Sequence, residues 1–89
     1  MMEIIKTINI KNDIMITVTE AKTIAMDHCD GDILNVSVDT IILPHEKEPL
    51  SWLFTIHHED YDGNVSKTVI EINKFGIVLD WYKILISEK

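Results

Sequence analysis

The chain has 89 residues, 46% of them hydrophobic, which suits one domain with one modest core and excludes general disorder. Fifteen Asp and Glu stand against eight Lys and no Arg, a net charge of −7. Arginine is the usual bidentate reader of phosphates and bases, so this balance argues against nucleic acid and against anionic membrane surfaces as partners. One cysteine, Cys29, excludes an intrachain disulfide and suits a reducing compartment.

Isoleucine occurs sixteen times, valine and threonine are frequent and alanine is scarce. β-Branched side chains pack well on a pleated surface, so the composition predicts strands. Ile4, Ile8 and Ile10 alternate with polar residues as a half-buried strand should, and Lys11-Asn12-Asp13 reads as a turn. This opening has neither the basic start nor the apolar run of a signal peptide, and no stretch approaches a membrane span. A cytoplasmic location, in the protein's own cell or in a host cell, is expected.

Ile14, Ile16, Val18, Ile24 and Met26 share one face of an extended chain, interrupted by Glu20 and Lys22. That pattern predicts a long, bulged strand. It is followed by Cys29-Asp30-Gly31, a turn signal. With Gly31 in the left-handed region, a three-residue hairpin loop would set His28 against Asp32, Met26 against Leu34, Ile24 against Val36 and Val18 against Ile42. Pro44 to Pro49 is a loop. Tyr61-Asp62-Gly63 is a second turn of the same kind. There the apolar register sets His58 against Ser66, Phe54 against Ile70 and Trp52 against Ile72. Asn73-Lys74-Phe75-Gly76 predicts a third hairpin, with Ile72 opposite Ile77 and Ile70 opposite Leu79. The segment 77–86 reads as a strand, with an amphipathic helix as the alternative. Trp81 and Tyr82 then point to opposite faces, which predicts that one of them lies outside the core at a subunit contact.

The expected fold is therefore a single all-β domain over residues 1–89, or a β-rich one with a C-terminal helix. It is an antiparallel meander of five to six strands forming a small barrel or sandwich. Alternate turns of a meander share an end. The two Asp-Gly turns would bring Asp27, Asp30, Asp32, Glu59, Asp60 and Asp62 to one pole, opposite Lys11, Lys47 and Lys74. Such a pole attracts cations or basic protein surfaces and disfavours phosphate. Aspartate is also a common turn former, which supplies a purely structural origin for the same cluster.

His57-His58-Glu59-Asp60-Tyr61-Asp62-Gly63 resembles, over seven residues, the His-His-x-x-x-Asp-Gly pattern of nonribosomal-peptide condensation domains and related acyltransferases. The resemblance implies a histidine acting as general base on an acceptor group. Those enzymes are several times longer and build the motif between two large subdomains. His58 with Asp60 and Asp62, or His28 with Asp30 and Asp32, could offer metal ligands, but His57 and His58 face opposite ways in a strand. Asp60-Tyr61-Asp62-Gly63-Asn64 is similar to part of a calcium loop without its terminal glutamate. Cys29 stands among carboxylates, which disfavour a reactive thiolate. No nucleophile elbow or phosphate-binding glycine loop is present.

These features predict a non-enzymatic interaction protein without cofactor or metal. It would bind, and inhibit or regulate, another protein with a basic surface. Small acidic chains of this composition suggest a phage or mobile-element origin. The alternatives are a self-assembling structural subunit, which pairs through an exposed strand edge, and a small-molecule or metal-binding enzyme with a pocket lined by His28, Asp30, His58 and Asp60.

Overall fold

The computed structural model describes residues 14–89. Among these residues one helix, α1 (Val18–Asp27), precedes four strands: β1 (Asp32–Ile41), β2 (Ser51–Glu59), β3 (Val65–Asn73) and β4 (Val78–Ser87). The strands form one antiparallel sheet in the order β1-β2-β3-β4. The architecture is β-rich and meandering, as expected. The sheet is open, not a barrel or sandwich, and the described residues hold four strands, not five to six. The predicted strand Ile4–Ile10 and the turn at Lys11 lie outside the described residues.

The largest departure is at residues 14–26, predicted as a strand and found largely helical. Thr17 is the N-cap: its hydroxyl accepts from the Glu20 amide at 3.1 Å, while the Glu20 carboxylate accepts from the Thr17 amide at 3.1 Å. This reciprocal capping box satisfies two donors that the first helical turn would leave open. The chain's two alanines, Ala21 and Ala25, are one helical turn apart and fully buried. Their small size lets α1 lie close to the sheet. Val18, Thr19, Thr23 and Ile24 are poor helix formers, but tertiary burial outweighs a few tenths of a kcal/mol each. A strand here would have extended the sheet without covering either face. The pairings predicted between this segment and residues 32–42 are consequently absent, and β1 pairs with β2 instead.

The core is the interface between α1 and one face of β2 and β3. Trp52, Phe54, Ile56, Ile70 and Ile72 meet Ala21 and Ala25, with Ile16, Ile24, Ile33, Val36 and Val78 packed around them. The β2–β3 register matches the sequence expectation at every named pair: Trp52 with Ile72, Phe54 with Ile70 and His58 with Ser66. The β3–β4 hairpin also forms, and 77–86 is strand rather than helix over Val78–Ser87. Its register differs from expectation, since Ile72 pairs with Val78 and Ile70 with Trp81 across a bulge at Leu79. The bulge takes up one residue, which shifts every later pair.

Candidate functional site

Two connections bring the acidic residues together. The first, residues 28–31, joins α1 to β1 and is not the predicted hairpin. It still reverses the chain, with Gly31 at φ +78°. The second is the β2–β3 turn around Gly63, at φ +85°. The two touch: a Cβ on Gly31 would collide with the Glu59 carbonyl oxygen and stand 2.7 Å from the Asp60 Cα. Asp32 lies directly opposite Glu59 in the β1–β2 pairing. A shallow, solvent-open depression at this tip is lined by Asp32, Glu59, Asp60, Tyr61, Gly63 and Lys89.

The six carboxylates have different duties. Asp60 builds the turn. Its Oδ1 accepts from the Asn64 amide at 3.0 Å and from the Asp62 amide at 2.9 Å. These bonds, that from Asn64 foremost, hold its carboxyl below the usual aspartate range. The resulting stabilisation is present above the unfolded aspartate value and is lost as pH falls through the lowered folded value. Asp30 lies 3.7 Å from the Lys83 ammonium, a partly exposed pair of modest worth. Asp27, Asp32 and Asp62 are exposed and Glu59 is half-buried. None of these four has a hydrogen-bonded or ion-paired carboxylate among the described residues.

For Asp27, Asp32 and Glu59 the placement works against the fold. Asp27 ends α1, whose last turn holds no basic residue, so a carboxylate sits at the negative end of the helix dipole. Asp32 and Glu59 are like charges directly across an antiparallel pair, which is destabilising. Lys83 and Lys89 also reach this pole, which the sequence pattern did not foresee. Lys47 and Lys74 lie in the connections at the other end of the sheet, as expected.

The histidines do not form the catalytic or metal constellations considered above. His58 is buried, with Nδ1 2.9 Å from the Asp30 carbonyl oxygen and Nε2 2.8 Å from the Thr68 hydroxyl. A carbonyl only accepts, so Nδ1 donates to it, and Nε2 bonds the Thr68 hydroxyl. Both nitrogens are occupied. His57 pairs with Asn35 and Lys67 on the opposite face. His28 caps α1, with Nδ1 3.0 Å from the Ile24 carbonyl oxygen. Among the described residues no three His, Cys, Asp or Glu side chains converge as metal ligands. Burial pushes the Cys29 thiol up, and its Sγ donates to the Ala25 carbonyl oxygen at 3.7 Å. Both observations describe an unreactive thiol.

His58 instead ties the 28–31 connection, and so Asp30 and Asp32, to the sheet. Replacing His58 with leucine is expected to cost about 1–3 kcal/mol, since the part-buried Asp30 carbonyl and the buried Thr68 hydroxyl lose their partner. Amide hydrogen exchange at Gly31 and Asp32 should accelerate, while His57→Leu leaves it near wild type. Equal exchange in the two variants would remove the tie.

Strand β4 presents a second exposed surface, apolar where the tip is acidic. Leu79, Trp81, Tyr82, Ile84, Leu85 and Ile86 are each 43–53% exposed. Trp81 and Tyr82 do face opposite ways, but both lie outside the core, because α1 covers only β2 and β3. The signal was the apolar run from Ile77 to Ile86, too continuous for a strand with one wet face.

No helix among the described residues is long and apolar enough to cross a membrane. In comparisons with known proteins, the chain matches no family model, no curated protein and no solved structure.

Proposed function

We propose that this chain is a non-enzymatic interaction protein that binds another protein through its acidic tip and regulates it by occupying a basic surface. The setting is the cytoplasm of its own cell or of a host cell. The observation that carries the reading is the cost of the tip to the fold. A carboxylate at a helix C-terminus and two directly opposed across a strand pair weaken the structure that holds them. Stability given up at one pole is the usual mark of a surface kept for recognition. Clustered charge of one sign speeds encounter with a complementary surface and rejects like-charged competitors.

The test separates recognition from folding. Asp27→Asn, Asp32→Asn and Asp62→Asn are combined, leaving Asp60 in its turn and Asp30 beside Lys83. The triple variant is expected to melt at a higher temperature than wild type. It should also lose at least tenfold in affinity for the basic proteins that the immobilised wild-type chain retains from native-host extract at low salt. Retained wild-type partners should elute as NaCl is raised. Identical retention by the two proteins would sink the reading, and so would a partner set with no basic bias.

A further inference from the structure

The geometry points to a second copy of this chain as the occupant of the β4 edge, joined antiparallel about a two-fold axis at Tyr82 to give one continuous eight-stranded sheet. This goes beyond the acidic-tip reading and does not depend on it.

Among the described residues nothing pairs with the outer edge of β4. A long, apolar edge strand offers a row of unpaired backbone groups to any other strand, and β4 carries only Asp80, Lys83 and Ser87 as polar residues. A lateral neighbour would suffice to bury its side chains. Val69 lies on the same face as its partner Tyr82, away from α1, yet Val69 is 7% exposed against 50% for Tyr82. The difference is that β3 has strands on both sides. About half of six large side chains is open on each copy. Taking roughly 200 Å² for a large side chain, two copies could bury on the order of 1,200 Å², the lower end of stable interfaces.

Register and direction follow from faces, charge and the extent of regular strand, since only a centre at Tyr82 or Lys83 pairs five of the regular residues 80–85. Between the irregular pairings at its two ends, residues 80–85 pair regularly, with Trp81, Lys83 and Leu85 on the helix side and Asp80, Tyr82 and Ile84 on the other. A continuous antiparallel sheet keeps faces together, so the axis passes through a residue and not between two. Centred on Lys83, the pairing would set two ammonium groups opposite each other. Centred on Tyr82, it stacks the two tyrosines, sets Lys83 beside the Trp81 indole of the other copy and leaves no like charges opposed. β4 runs from the Lys74 turn to the acidic tip, where Ser87 pairs with Val65. Antiparallel pairing therefore brings the lysine end of one copy beside the acidic tip of the other. It also keeps the two tips at opposite ends of the dimer.

Sedimentation of the full chain across roughly 5–200 µM should give a mass that rises to a dimer and stops there, as an isologous contact closes. In a Cys29→Ser background, Tyr82→Cys should oxidise to a covalent dimer, because directly opposed residues across an antiparallel pair fall within disulfide reach. Ser37→Cys, on the other edge strand β1, should stay monomeric under the same conditions. Ile84→Lys should weaken association at least tenfold with an unchanged circular dichroism spectrum. A monomer at all concentrations overturns the proposal, whether residues 1–13 of the same chain or another protein takes the edge. Equal crosslinking through Ser37, or masses that climb without limit, overturn it as well.

Discussion

Phe54→Ala is expected to destabilise the protein by about 3–5 kcal/mol, the range for deleting a fully buried aromatic side chain. Phe54 is completely buried on the face that meets α1 and belongs to the cluster that includes Ala21, Ala25, Ile56 and Ile70. The two alanines opposite cannot grow into the void. Relaxation is further limited because α1 is held at its start by its capping box and by the Ile16 amide, which donates to the Lys74 carbonyl oxygen at 2.9 Å. A domain of this size carries on the order of 5–10 kcal/mol in total, so the variant should sit near the edge of folding at room temperature. Leu53→Ala is the comparison. Leu53 is half-buried on the face that α1 does not cover, and its loss should cost well under half as much. Urea titrations read both. Similar midpoints for Phe54→Ala and Leu53→Ala would mean that the helix-facing side is not the single core described above.

Gly31→Ala should cost roughly 2–5 kcal/mol, from a left-handed backbone that disfavours any Cβ and from overpacking. The clash is with main chain: the new carbon would run into the Glu59 carbonyl oxygen and meet the Asp60 Cα at 2.7 Å. Backbone cannot rotate aside as a side chain can, so the two connections at the acidic tip must separate. At Gly76, φ is +84° but the nearest contact is the Ile16 Cδ1 at 3.4 Å. Gly76→Ala should therefore show the backbone cost alone, about 1 kcal/mol. Thermal unfolding orders the pair, with a fall of several degrees in Tm for each kcal/mol lost. If Gly76→Ala proves the more damaging, main-chain contact between the two turns is not what restricts residue 31. Because the acidic tip depends on that contact, Gly31→Ala should also reduce partner binding, even where the fold survives.

The tests are separable. The tip variants change recognition and raise stability, the Phe54 and Gly31 variants lower stability, and the β4 variants change only mass. An Ile84→Lys protein that is monomeric yet retains the same basic partners would leave the tip reading intact. A dimer with no basic partners would do the reverse.

Some of this molecule was legible in the chain, and the dividing line has a physical cause. The β2–β3 hairpin was readable to the residue, because a side-chain period of two and a glycine in the left-handed region leave one register that keeps Trp52, Phe54 and His58 on a single face. The shared pole of Asp30 and Asp62 was also readable, since each glycine turn reverses the chain whatever precedes it. Residues 17–27 were not. Thr17-x-x-Glu20 and the Ala21/Ala25 spacing were the helix signals, but isoleucine, valine and threonine at alternate positions gave an equally regular strand pattern. Only the tertiary structure decided between them: β2 and β3 present an apolar face that one helix can cover and another strand cannot. The same holds for the open sheet. Local pattern specifies which strands pair, but whether the last edge closes onto the first or waits for another chain depends on what lies beside β4, which no short-range preference encodes.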